Sequence, residues 1–150
     1  MTVKNTTIGK NTQIYDKHLS NIRGATIGDN CVVHSHVWIG EGVVIGNNVK
    51  IQAFAFIPSG VTIEDNVFIG PRVTFTNDKY PETTKDRGDK KWTPERTIVR
   101  RGASIGASAT ILPGIEVGQN AKIGAGSVVT KDVPANVVVC GVPARIQAGR

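Results

Sequence analysis

Asn77 and Asp78 stand side by side in the segment GPRVTFTNDKYP, Gly70 to Pro81, and theirs is the most readable chemistry in the chain. An uncharged amide holds a polar group without fixing its protonation state. A carboxylate accepts a proton, but it also stabilises a neighbouring ammonium, the unreactive form of an amine. Asn77 therefore reads as a positioning group, and Asp78 as a less necessary proton acceptor. His34 and His36, two apart in VHSHVWIG, are further candidate catalytic residues, because imidazole titrates near neutrality. No P-loop, GxGxxG, HExxH or nucleophile-elbow pattern is present.

The elements that must position these groups follow a six-residue period. From Ile27 to Phe75, every sixth residue is apolar over nine positions, and so is every residue two places earlier, from Ala25 to Val73. The pattern resumes from Val99 to Val129, with Thr97, Ala103, Ala109, Ile115, Ala121 and Ser127 as the companions. Two inward positions spaced by two describe a short strand, since alternate side chains share a face. A Gly often follows, as at Gly28, Gly40, Gly46 and Gly106, and reads as a corner residue chosen for its backbone freedom. Three such sides close a coil, and coils stack about 4.8 Å apart. The expected fold is an all-β parallel β-helix of about five to six coils, a single domain over residues 1–150. Ile14 to Ile27 is thirteen residues, one more than two periods, so a bulge is expected over Tyr15 to Arg23. The tail after Val129 is expected to end the last coil and stop.

Between Phe75 and Val99 the period would fall on Pro81, Arg87 and Thr93, none of which suits a core. Roughly residues 76–97 therefore form one long loop thrown out of the prism, and Tyr80 and Trp92 mark it as functional rather than disordered. Asn77 and Asp78 leave the third full coil of the regular repeat at its mouth.

Composition narrows the partners. Only 5% of the 150 residues are aromatic, so Val, Ile and Ala must fill the core. The net charge of +6 suits a phosphate-bearing small ligand, but basic residues neither run together nor interleave with aromatics, which argues against nucleic acid. No segment is apolar enough to span a membrane. Cys31 and Cys140 form no CxxC, and Met1 to Lys10 lacks an apolar signal region, so a reducing, cytoplasmic setting is expected.

The repeat resembles that of the hexapeptide-repeat acyltransferases over roughly residues 5 to 146, and this resemblance implies a triangular, left-handed β-helix. GPRVTFTNDKYP is similar to the G-P-x-V-x-F-T-N-x-x-x-P stretch of the nucleotide-sugar 3-N-acetyltransferases in that family. The likeness implies transfer from acetyl-CoA, with no metal, to the amino group of a UDP- or dTDP-linked amino-deoxy sugar, in surface polysaccharide precursor synthesis. It places Arg72, Phe75, Thr76 and Tyr80 at the substrate. Glu82 departs from it, since relatives often carry Arg there. Hydroxyl-acetylating relatives place a catalytic His where Tyr80 stands, so its absence points to an amine acceptor. The family's cofactor groove lies between subunits of a homotrimer. That implies contacts from Ala107, Ala125 and Gly126, with Lys131 and Arg145 near the CoA phosphates. A sugar O-acetyltransferase of the same fold is the alternative. So is a zinc enzyme like the γ-class carbonic anhydrases, although His18, His34 and His36 are poorly spaced for a three-histidine site.

Overall fold

The computed structural model describes residues 3–85 and 91–148, and in it the six-residue units wind into a parallel β-solenoid. Three sheets form its faces. Face one stacks Val3–Lys4, Asn21–Arg23, Trp38–Ile39, Phe56–Ile57, Thr74–Phe75, Thr110–Ile111 and Val128–Val129. Face two stacks Thr7–Ile8, Thr26–Ile27, Val44–Ile45, Val61–Ile63, Thr97–Val99 and Glu116–Val117. Face three runs from Gln13–Ile14 to Val138–Cys140 and ends on Arg145–Ile146, the one antiparallel pairing among the described strands. Equivalent positions stay in register: Ile27 pairs with Ile45, Ile45 with Ile63, and Ile63 with Val99.

The inward side chains form one continuous core. Ile51, Ile57, Ile63, Ile69 and Phe75 are wholly buried, as are the companions Val43 and Val73. The two polar companions are hydrogen-bonded: the Thr97 hydroxyl accepts from the Gly114 N–H at 3.2 Å, and the Ser127 hydroxyl from that of Gly141 at 3.2 Å.

Seven strands stack on face one, so the prism has about seven coils rather than five to six. Both ends account for the difference. The expected bulge is a 3-10 turn over Lys17–Leu19, followed by the strand Asn21–Arg23. Ile22 is fully buried there, so the thirteen residues from Ile14 to Ile27 divide into eight and five around a core position that a strict six-residue count passes over. At the other end the chain does not stop after Val129. Val133 bridges to Val117 and Val138–Cys140 pairs with Lys122–Ile123, so this segment completes another coil.

The glycines following the strands do something other than expected. Gly106 does not have a positive φ, but a Cβ on it would lie 2.5 Å from the Ala125 backbone nitrogen of the next coil. The need is for close approach of successive coils. The left-handed backbone sits two residues further on, at Gly42 (φ 74°) on one corner and at Asn30, Asn48, Asn66, Asn120 and Asn136 on another. Asn tolerates that region and Gly enters it freely.

The long loop leaves after Phe75 and rejoins at Thr97, as expected; Arg87, one of the three positions that broke the repeat, lies outside the described residues. Its two ends are tied by the Glu95 N–H donating to the Asn77 carbonyl at 3.0 Å.

These two kinds of glycine predict different mutational behaviour. Gly106→Ala should lower stability by roughly 1–3 kcal/mol through backbone overlap. Gly42→Ala, with open space around it, should cost about 1–2 kcal/mol from φ alone, most of it recovered in Gly42→Asn. Thermal melts of the three variants distinguish the causes; equal losses in all three would refute the close-approach account.

Candidate functional site

The site begins where the period fails. Phe75 is fully buried in the core, so it anchors the strand end and offers no surface to a ligand. Thr76, the next residue, donates both its N–H and its hydroxyl to the Ile111 carbonyl, each at 3.0 Å. The chain then turns outward, but the Asn77 side chain reaches back to the preceding coil. Its Nδ2 donates to the Ser59 carbonyl at 3.0 Å and to the Ser59 hydroxyl at 3.2 Å. Glu95 borders the same edge: its carboxylate lies 2.8 Å from where a Cβ on Gly114 would sit.

Asp78 is committed to the loop. One carboxylate oxygen accepts from the Lys85 ammonium at 2.6 Å and from the Tyr80 N–H at 3.0 Å, and Lys85 also donates to the Tyr80 carbonyl at 2.6 Å. The Lys85 hydrogen bond, assisted by the Tyr80 N–H, holds the Asp78 carboxyl below its ordinary value. It is thus ionised through the neutral range and already paired, which makes it a weak base. Tyr80 itself is 70% exposed, with the Lys79 ammonium 5.6 Å from its ring centre.

The other candidates lie on a different corner, where face three passes into face one. His36, Arg72 and Gly126 all have positive φ there, and the Gly126 N–H donates to the Ala107 carbonyl at 2.8 Å. Ala125 packs under Gly106 on the same corner. The His36 ring stacks on Phe54 at 4.8 Å with its Nδ1 3.1 Å from the Ser35 hydroxyl, and the His34 ring stacks on Tyr15 at 5.3 Å. Arg72, expected beside the substrate with Asn77, is therefore separated from it by the width of face one. Lys131 returns to the Asn77 edge, because Phe75, Ile111 and Val129 are in register and Asn77 and Lys131 each follow two residues later. With Arg145, Lys131 lines a cavity of about 280 Å³ walled by Val129, Val139 and Ile146. A larger hollow of about 670 Å³ surrounds the Glu64–Arg100–Glu116 ion pairs and shares Asp132, Val133 and Pro134 with the Lys131 cavity. Cys31 is no nucleophile: burial pushes its thiol up, keeping it protonated.

Ser59, Lys85 and Glu95 were not anticipated from the sequence. The available signals were weak ones: a Ser directly before the corner Gly60, a Lys seven residues after an Asp, and a Glu just ahead of the resumed period.

A solenoid of hexads interrupted by one loop is the architecture of the hexapeptide-repeat proteins. The model described as bacterial transferase hexapeptide (six repeats) matches residues 42–77 and 96–131, breaking at the loop, and the hexapeptide repeat of succinyl-transferase matches residues 4–39 and 25–53. The chain belongs to this hexapeptide-repeat transferase family. It is 46% identical over 83 residues to a serine acetyltransferase from Buchnera aphidicola, covering 53% of this chain and 30% of that protein. It is 54% identical over 52 residues to the dTDP-3-amino-3,6-dideoxy-alpha-D-galactopyranose 3-N-acetyltransferase from Aneurinibacillus thermoaerophilus, covering 35% of this chain and 27% of that protein. The chain thus spans about a third or less of the length of these curated relatives. Its fold is shared by AntD, an N-acyltransferase from Bacillus cereus solved with dTDP and 3-hydroxybutyryl-CoA, at a TM-score of 0.82 and 22% identity, covering 96% of this chain and 82% of that one.

The unequal engagement of the two neighbours sets the expected mutational order. Asn77→Ala should lower kcat/KM of the transfer reaction by about 1–3 kcal/mol, the scale of a lost buried hydrogen bond, and Asp78→Asn by less. Because the Asp78 carboxyl sits below its ordinary value, its anchoring of the loop is complete at neutral pH and is lost only as the pH falls through that lowered value. Steady-state kinetics across pH check both points; abolished turnover in Asp78→Asn with a nearly wild-type Asn77→Ala would make Asp78 the base.

Proposed function

We propose that this chain is an acetyl-CoA-dependent N-acetyltransferase acting on the amino group, in the 3-position, of a UDP- or dTDP-linked amino-deoxy sugar. The observation that carries this reading is the edge at Asn77. Its amide nitrogen donates to Ser59, its oxygen accepts no hydrogen bond from any described residue, and the adjacent carboxylate is already paired with Lys85. Such an edge orients a nucleophile but offers no strong base. A hydroxyl needs a base to attack a thioester, whereas a neutral amine brings its own lone pair and needs positioning. The amine nitrogen forms a bond to the thioester carbonyl carbon, the carbon–sulfur bond breaks, and the departing thiolate takes up the proton that the nitrogen sheds.

Acetyl-CoA is assigned to the groove bounded by Ala107, Ala125 and Gly126, where a Cβ on Gly126 would meet nothing within 4 Å, leaving the backbone open to close approach. Lys131 and Arg145 are assigned to its phosphates, which fits their shared cavity. Thr76, Tyr80 and Arg72 are assigned to the sugar nucleotide, with Phe75 supporting them from the core. Since Asn77 and Gly126 lie on different corners of one chain, we assign the working form as a homotrimer in which a neighbour's corner completes each cleft and brings His34 and His36 towards it. The setting assigned is the cytoplasm, in the supply of surface polysaccharide precursors.

A thiol-release assay against a panel of UDP- and dTDP-linked amino sugars tests the reaction. Release should require the amino group; equal turnover of the matching hydroxyl sugar would sink the N-transfer reading and hand the base role to His34 or His36. In the same assay Lys131→Ala and Arg145→Ala should raise KM for acetyl-CoA with little change in kcat, and an unchanged KM in both would remove them from the site. Light scattering should give three times the 16.0 kDa protomer mass; a fully active monomer is the result that excludes the shared cleft.

A further inference from the structure

We infer that Ser59 is a positioning residue that decides which end of the Asn77 side chain meets the acceptor amine, an inference that rests on the N-acyl transfer proposed above. The Asn77 amide lies 3.0 Å from the Ser59 carbonyl oxygen and 3.2 Å from its hydroxyl. A peptide carbonyl only accepts hydrogen bonds, so the group facing it must be the amide NH2; the opposite flip would press two acceptors together. The Ser59 hydroxyl accepts a second hydrogen bond from the same NH2 and so restrains the amide further. Able to donate as well as accept, it does not itself choose the flip, which the carbonyl sets. The backbone at Asn77 is held as well, through the Glu95 N–H at 3.0 Å. The loop also returns closely over the residue after Ser59, since a Cβ on Gly60 would lie 2.8 Å from the Glu95 carbonyl oxygen. With the nitrogen so occupied, the Asn77 Oδ1 accepts no hydrogen bond from any described residue.

This orientation matters to an amine nucleophile. An exposed amide oxygen accepts one amine N–H and leaves the nitrogen lone pair free to attack. As the carbon–nitrogen bond forms, the nitrogen gains positive charge, and the N–H···O bond becomes charge-assisted. It is therefore stronger in the transition state than with bound substrate, which is the condition for accelerating the step. The flipped amide would instead donate to the lone pair and withhold the electrons that attack. Ser59 keeps the amide out of that inhibitory arrangement without touching the substrate.

The test compares wild type, Ser59→Ala, Ser59→Thr, Asn77→Ala and the Ser59→Ala/Asn77→Ala double variant. With acetyl-CoA and the amino sugar turned over by wild type, Ser59→Ala should lower kcat by about five- to twenty-fold with KM for acetyl-CoA within about twofold. Ser59→Thr should restore kcat, and Ser59→Ala should cost nothing further once Asn77 is Ala. An unchanged kcat in Ser59→Ala, or losses that multiply in the double variant, overturns the role. A second readout is independent of turnover. The Asn77 side-chain NH2 resonances, identified by their disappearance in Asn77→Ala, should be shifted and protected from exchange in wild type. They should lose part of that protection in Ser59→Ala, which keeps the carbonyl partner but removes the hydroxyl. Should no amino sugar be acetylated, the functional reading fails while these resonances still decide the Ser59 contact; resonances unchanged by Ser59→Ala refute it.

Discussion

Backbone hydrogen bonding between successive coils is the constraint on which the rest of this structure depends. Each strand is only two or three residues long, too short to be stable alone, and it is held by pairs such as the Gly28 N–H to the Ile45 carbonyl at 2.9 Å and the Gly46 N–H to the Ile63 carbonyl at 2.8 Å. Keeping that spacing at the corners excludes a Cβ at Gly28, Gly70, Gly106 and Gly118, each of which would bring it within 2.7 Å of the next coil's backbone or side chain. Where the spacing is kept, the inward positions fall into columns of Ile over Ile and the core fills without large rings. Where the chain departs from the period, at Lys17–Leu19, it regains the register within one strand and Ile22 still reaches the core. Ser20 shows the local cost of that departure: its hydroxyl is buried with no hydrogen-bond partner.

The loop after Phe75 is tolerated because it does not disturb that ladder. Thr97 takes the place of the next strand by donating to the Gly60 carbonyl at 3.0 Å, so the coil closes although some twenty residues of sequence separate Phe75 from Thr97. A polar edge is built there on a rigid support. Thr76 is tied to Ile111 and Asn77 to Ser59, residues of two different coils, so the first residues of the loop are hydrogen-bonded to the prism. Preorganisation of this kind is what positioning catalysis requires. Asp78, Tyr80 and Lys85 form a small closed unit beside it, in which the carboxylate is hydrogen-bonded within the loop.

The outer faces carry other features that the core does not demand. Trp38 and Phe56 stack at 4.8 Å on face one, and His36 on Phe54 at the adjoining corner, so the early coils present a half-exposed aromatic strip. On face two Arg100 bridges Glu64 and Glu116 at 2.9 Å each, an exposed ladder of charges of modest energetic weight that pins the rejoining strand to both neighbours. The two corners assigned to the proposed cleft border these regions, and a single chain leaves them apart.

The amino-acid sequence by itself determined the repeat, the core and the place of the loop, because each is a local pattern: inward positions every six residues can only be satisfied by one stacking, and a stretch without them cannot enter the core. It also pointed to Asn77 and Asp78, since the period breaks beside them. Tertiary structure decided the rest. Ile22 escaped the count because its spacing is irregular, eight residues from one neighbour and five from the next, and only the paired strands reveal that both lead to the same core. The reason for Gly106 lies in a backbone nitrogen nineteen residues away, which no local propensity records. Ser59 meets Asn77, and Arg72 parts from it, because one turn of the solenoid brings residues eighteen apart into contact while neighbours five apart sit on opposite edges of a face. The separation of reacting groups along the chain is thus no guide to their separation in space; the circumference of the coil sets it.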